Sequence, residues 1–71
     1  MKYIVFEKQS VNGTRDASFI SYNSLIATKR MASRRQVWQG TVLVIETESG
    51  ETVAYKKPGE HWTDVYNDRD I

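Results

Sequence analysis

The chain has 71 residues and nearly balanced charge, with 10 lysines and arginines against 9 carboxylates. That length is enough for one domain with one core and leaves no room for a separate catalytic domain. There is no cysteine, so disulfides and thiolate metal sites are excluded. No stretch approaches the ~18 apolar residues of a membrane span, and no signal-peptide core is present, so we expect a cytoplasmic protein.

The first half of the chain predicts two strands and a helix. Residues 2–8 and 17–22 are rich in β-branched and aromatic side chains, and Asn12-Gly13 between them is a turn dipeptide. We expect these strands to pair antiparallel. Asn23-Ser24 can cap a helix that runs to about Gln36. The small and apolar side chains of that helix share one side, and its cationic side chains share the other.

The second half predicts a hairpin and one more strand. Residues 41–57 form two β-rich runs around the turn Glu48-Ser49-Gly50-Glu51, in which Gly50 supplies a positive φ. A second turn follows at Pro58-Gly59. Residues 61–66 are predicted to be the last strand, with Trp62 as its buried anchor.

The order of these elements, ββαβββ, predicts an α+β fold. We expect an antiparallel sheet of about five strands with one helix packed on one face, in a single domain over residues 1–71. The other face of the sheet is expected to stay partly open, as antiparallel sheets permit. The acidic end, residues 66–71, is expected to be a frayed tail.

No pattern in the sequence points to catalysis. His61 is the only histidine and is expected to be an exposed strand residue. Glu46, Glu48 and Glu51 flank the hairpin turn, where carboxylates commonly protect a strand edge. Neither a phosphate-binding glycine loop nor a metal-ligand spacing occurs. We therefore expect no enzyme activity, catalytic residue, metal or cofactor, and no small-molecule substrate or membrane partner.

The segment KRMASRRQ, residues 29–36, concentrates positive charge. It contains four cations and no carboxylate: Lys29, Arg30, Arg34 and Arg35. Such a helix face lacks the usual i, i+4 ion pairs and is stabilised beside an anion. Two interpretations stay open, an anionic partner such as nucleic acid or an acidic protein groove, and an ordinary solvated face. Among the aromatics, Trp38 is the best candidate for a surface anchor.

A longer pattern covers residues 29–64 without a gap. Its positions are Lys29-Arg30, Ala32-Ser33, Gln36, Gly40-Thr41-Val42, Ile45-Glu46-Thr47, Gly50, Ala54-Tyr55-Lys56, Gly59, Trp62 and Asp64. On these residues, about half of the chain, the sequence resembles the ninth subfamily of the type I-F anti-CRISPR proteins, small inhibitors from phages and mobile elements.

The resemblance implies an inhibitor of the type I-F CRISPR surveillance complex, a crRNA-guided assembly also called Csy. Such proteins dock on the backbone subunits that hold the crRNA and block hybridisation of target DNA in the infected host cell. They also promote binding of duplex DNA without sequence specificity. The alternative is a stand-alone small nucleic-acid-binding domain that uses the basic helix.

The resemblance also implies roles for single residues. It implies that Lys29, Arg30 and Arg34 contact DNA. It also implies that Gln36, Lys56 and Tyr3 contact the docking partner. Arg35 and Lys57 are basic where the family pattern has acidic residues, so Arg35 is added to the DNA-binding set. If all four helix cations neutralise phosphates, log K should fall with log salt at a slope of roughly −3 to −4.

Overall fold

The computed structural model describes residues 2–9, 17–36 and 40–65, which form one sheet and one helix. The elements are β1 (Tyr3–Lys8), β2 (Ala17–Ser21), α1 (Leu25–Arg35), β3 (Val42–Thr47), β4 (Thr52–Lys56) and β5 (Thr63–Asp64). The five strands pair antiparallel in the order β2-β1-β3-β4-β5. The predicted α+β fold, with five strands and one helix, is confirmed.

The two central strands, β1 and β3, are paired over their whole length. Their register runs from Tyr3 opposite Thr47 to Lys8 opposite Val42. Because side chains alternate between the faces of a strand, Val5 and its partner Ile45 project to the same face. Both are fully buried, and each contributes about 1.5–3 kcal/mol through the hydrophobic effect.

The helix packs on this face through two small side chains. Thr28 and Ala32 are the buried residues of α1. Their size lets the helix approach a core formed by Tyr3, Val5, Leu43, Ile45 and Ala54. The amphipathic pattern predicted for the helix is therefore confirmed.

Beneath the first turn of the helix, two buried hydroxyl groups join α1 to β2. Ser21 Oγ lies 2.8 Å from Thr28 Oγ1. Since Thr28 Oγ1 donates to the carbonyl oxygen of Ser24, the Ser21 hydroxyl is the donor in this bond. The contact fixes the start of the helix over the end of β2.

The other face of the sheet is partly open, as the sequence predicted, and is closed at its centre. Phe6, Val42 and Val44 are buried there. The Lys8 side chain folds across this face, with its Nζ 5.3 Å from the Phe6 ring centroid and 3.0 Å from Glu46 Oε2. An aliphatic stem laid over apolar side chains explains the closure. The face opens only toward the edge strand, where Ile20 is 48% exposed.

Local signals in the sequence place the ends of these elements. Ser24 caps the helix, since its side chain accepts from the backbone N–H of Ala27 at 3.2 Å. The hairpin turn places Gly50 at φ 88°, and the Pro58 turn places Gly59 at φ 75°. Both are left-handed conformations that glycine adopts without steric cost. The predicted cap and both predicted turns are confirmed.

The prediction of a last strand over 61–66 is wrong in length. Among residues 61–65, only Thr63–Asp64 is a strand, an edge element that pairs with β4 through Ala54 and Tyr55. The predicted turn at Asn12-Gly13, the proposed anchor Trp38 and the tail 66–71 lie outside the described residues. No helix in the described ranges is long and apolar enough to cross a membrane.

Candidate nucleic-acid interface

The outward side of α1 forms a shallow, open groove against the segment that leads into β5. Its lining residues are Ile26, Lys29, Arg30, Ser33, Arg34 and Trp62. The helix supplies five of these side chains at spacings of three and four residues, which places them along one face. We call this surface the helix groove. Three of the four cations predicted to contact DNA line it.

Lys29 is held within the molecule. Its ammonium group forms an ion pair with the carboxylate of Asp64 on β5. The Lys29 side chain is 18% exposed and that of Asp64 is 35% exposed. The positive charge of Lys29 is therefore largely balanced by a neighbouring carboxylate.

Arg35 turns to the other flank of the helix. Its guanidinium carbon lies 5.0 Å from the centroid of the Phe19 ring on β2. A guanidinium over an aromatic face is attracted by the negative π-cloud, so the contact holds Arg35 away from the helix groove. The four helix cations are therefore not one continuous patch.

Arg30 and Arg34 are the cations that the helix groove presents to solvent. Both are exposed, and neither has an ion-pair partner among the residues that the structure describes. They are one helical turn apart, at i and i+4, where like charges repel by a few tenths of a kcal/mol. An anion bound between them would relieve that repulsion through charge-assisted hydrogen bonds.

Gln36 directs its amide nitrogen inward. Its Nε2 donates to the backbone oxygen of Thr41 at 3.2 Å and to Thr41 Oγ1 at 3.1 Å. The Thr41 hydroxyl donates in turn to Glu7 Oε1 at 3.2 Å. Because a carbonyl oxygen can only accept, this arrangement fixes the orientation of the amide and leaves Oε1 outside these bonds. Sequence reasoning missed both supporting residues, Thr41 and Glu7.

The sheet register places Gln36 and Lys56 at the same end of the sheet. Thr41, which holds Gln36, directly precedes β3, and Lys56 lies opposite Leu43 near the start of that strand. Both side chains are half-buried. The two predicted docking residues therefore lie at the same end of the sheet, near the start of β3.

Tyr3, the third predicted docking residue, lies elsewhere. It is opposite Thr47, four residues along β3 from Leu43, which corresponds to about 13 Å. Its side chain is only 8% exposed and belongs to the core under the helix. Tyr3 therefore does not share a surface with Gln36 and Lys56, and it offers little area to a partner.

Trp62 and Asp64 connect the last segment of the described chain to the helix. Trp62 packs against the core under the helix, and its Nε1 donates to Ser33 Oγ at 3.3 Å. It is half-buried, so it anchors this segment without belonging to a strand. Sequence spacing gave no signal for the pairing of Asp64 with Lys29, since the two residues are 35 positions apart.

Residues with catalytic or metal-binding side chains do not converge within the described ranges. No group of three or more histidines, cysteines or carboxylates that could hold a metal occurs there. His61 is exposed, beside the turn that precedes Trp62.

Comparison with known proteins identifies the class to which this chain belongs. No protein-family model and no curated protein matches the chain. Among solved structures, AcrIF9 matches with a TM-score of 0.83 and 38% identity, covering 96% of this chain and 90% of that chain. The match shows that the chain is a type I-F anti-CRISPR protein. Within that class, the chain belongs to the AcrIF9 family. The resemblance noted in the sequence is confirmed.

Proposed function

We propose that the protein inhibits the type I-F (Csy) surveillance complex in the cytoplasm of the infected bacterial host by docking on the subunits that hold the crRNA. Docked there, it blocks hybridisation of target DNA and recruits duplex DNA without sequence specificity. Membership of the AcrIF9 family supports the target. The observation that carries the division of roles is the separation of two surfaces, the helix groove with Arg30 and Arg34, and the sheet end with Gln36 and Lys56.

The docking surface is the end of the sheet where Gln36 and Lys56 both lie, near the start of β3. Gln36 is already positioned by two hydrogen bonds to Thr41, so little side-chain entropy is lost when a partner engages it. A standard interface buries about 800 Å² on each partner, which one side of a small domain can supply. Inhibition of this kind needs no covalent chemistry, because a bound protein excludes the target strand by occupying its place.

DNA recruitment depends on Arg30 and Arg34. With Lys29 paired to Asp64 and Arg35 turned to the other flank of the helix over Phe19, Arg30 and Arg34 are the cations that the helix groove offers to phosphates. The salt dependence expected for DNA binding is therefore a slope of roughly −2, less steep than four cations imply. Two contacts give weak binding alone, but docking on a large complex raises the local concentration of this patch near a duplex.

Two classes of variant test the separation of the surfaces. Gln36→Ala and Lys56→Ala are expected to reduce co-elution with purified type I-F complex and to restore target hybridisation. Arg30→Gln with Arg34→Gln is expected to abolish recruitment of non-target duplex while co-elution is retained, because these guanidinium groups lie in the helix groove. Size-exclusion co-elution and a gel-shift assay with labelled duplex measure the two properties.

The control for the arginine variant is Lys2→Gln with Lys57→Gln. It also removes two positive charges, but from residues that do not line the helix groove. It should leave duplex recruitment near that of the unmodified protein. If both classes of variant change both properties equally, the two-surface proposal fails. If the complex hybridises target normally in the presence of excess protein, and the protein alone shifts duplex strongly at low salt, the stand-alone nucleic-acid-binding alternative is correct.

A further inference from the structure

The ion pair between Lys29 and Asp64 lies at the edge of the surface that we propose for DNA. Lys29 lines the helix groove together with Arg30 and Arg34, whereas Asp64 comes from β5 beside it. The pair is partly exposed, so water and dissolved ions reach it. A phosphate entering the groove therefore meets two free guanidinium groups and a third cation that already has a carboxylate partner.

We propose that Asp64 is an affinity-limiting residue, which competes with DNA phosphate for Lys29 and keeps the intrinsic DNA affinity of the protein low. The inference rests on the proposed DNA-binding role of the helix groove. It assigns to Asp64 an effect on ligand binding that is separate from any effect on folding. The chemical class of the ligand is the phosphodiester backbone of duplex DNA.

Two electrostatic effects of the Asp64 carboxylate act in the same direction. It occupies the Lys29 ammonium, so the number of phosphates that the groove neutralises is two instead of three. Each phosphate contact contributes about 0.9 to the slope of log K against log salt. The carboxylate also lies within a Debye length, about 8 Å, of a phosphate that approaches Lys29, so it repels that phosphate directly.

A low intrinsic affinity has a consequence for inhibition. A host chromosome offers about 10⁶ or more non-specific sites, which retain a strongly cationic protein wherever it meets DNA. With one cation balanced by Asp64, the protein stays free to find its complex. Once it is docked, the high local concentration compensates for the missing phosphate contact.

The test compares Asp64→Asn with the matched variant Glu48→Gln. Each substitution removes one carboxylate that pairs with a lysine, Lys29 in one case and Lys2 in the other, and each raises the net charge by one. Asparagine keeps an oxygen that can accept from Lys29, so the packing of β5 on the helix is preserved. The probe is a labelled duplex without a match to the guide, titrated at about 50 to 200 mM salt with the protein alone and with its complex.

We expect Asp64→Asn to bind duplex about five- to tenfold more tightly at 0.1 M salt, with a slope steeper by about 0.9. Glu48→Gln should leave both quantities near those of the unmodified protein. The double variant Asp64→Asn with Lys29→Met should return to the original affinity, because these two positions then carry no net charge, as in the original ion pair. Co-elution with the complex should be the same for all of these proteins.

Two outcomes overturn the inference while leaving the proposed function intact. One is an Asp64→Asn protein that binds no more tightly than Glu48→Gln, and the other is a gain that persists when Lys29 is replaced by methionine. If the unmodified protein recruits no duplex even when docked, the proposed DNA-binding role itself is wrong, and the inference fails with it. The three results are distinct because docking and recruitment are measured separately.

Discussion

Two lysines of this protein form ion pairs that resemble each other in chemistry and differ in burial. Lys8 pairs with Glu46 at 3.0 Å on the closed face of the sheet, where the side chains are only 6% and 3% exposed. Lys29 pairs with Asp64 beside the helix groove, where the side chains are 18% and 35% exposed. The first pair is part of the core, and the second is part of the surface.

The difference in burial decides what each pair can do. Two charges taken out of water must satisfy each other, since removal of one leaves the other in a medium that solvates it poorly. Two charges near water lose little when they separate, because solvent and salt replace the partner. Loss of one member of the Lys8 pair is therefore costly, whereas the Lys29 pair can exchange its carboxylate for another anion.

Replacement of Lys8 by methionine should have the largest effect on stability. Methionine keeps the unbranched stem that covers Phe6 but removes the ammonium from Glu46. We expect the free energy of unfolding to fall by about 3–5 kcal/mol, measured by urea denaturation. For a domain of this size, such a loss removes much of the total stability.

The double variant Lys8→Met with Glu46→Leu is the control. It replaces the pair by apolar side chains of similar volume, a change that is often neutral or stabilising for buried pairs. Recovery of most of the lost stability would show that the charge left behind, and not poor packing, causes the defect. A single variant within 1 kcal/mol of the unmodified protein would mean that water reaches this face, and the contrast between the two lysines would disappear.

A buried but uncharged pair separates the contribution of burial from that of charge. Thr28→Val removes the hydroxyl that accepts from Ser21. Both residues are buried where the helix meets β2. We expect a loss of about 1–2 kcal/mol, because a buried donor loses its partner but no net charge is left behind. Urea denaturation of Thr28→Val and of the hydroxyl-retaining Thr28→Ser measures it. If Thr28→Val lowers the free energy of unfolding as much as Lys8→Met does, burial alone explains the cost of Lys8→Met, and the unpaired charge does not.

The sequence predicted the strands and the helix that carry these two lysines, but not the carboxylates that pair with them. The cap at Ser24 and the β-rich run of β3 are local signals, and the structure has both. The partners of Lys8 and Lys29 are 38 and 35 positions away, and any of nine carboxylates could have been chosen. The strand order and the packing of the helix on the sheet determine which carboxylate lies beside which lysine, and spacing along the chain carries no information about either.

The same reason explains which parts of the site could be predicted. The cations of the helix are visible as a run of residues, but the contact of Arg35 with Phe19 depends on the position of β2. The location of Lys56 at the same end of the sheet as Gln36 depends on the pairing of β3 with β4. A count of charges therefore overstates the cationic surface, because two of the four side chains are engaged by residues from distant strands.

Replacement of Lys29 by methionine should have the smallest effect on stability. The pair with Asp64 is partly exposed, so its loss should lower the free energy of unfolding by about 0.2–1 kcal/mol, measured by urea denaturation beside Lys8→Met. Methionine keeps the contact of the stem with the groove, which limits any loss of packing. A loss above 2 kcal/mol would show that Asp64 clamps β5 to the helix, and exchange with a phosphate would then be too costly. A small loss means that the ammonium can change partners without weakening the fold, which is the property that binding of a mobile anionic ligand requires.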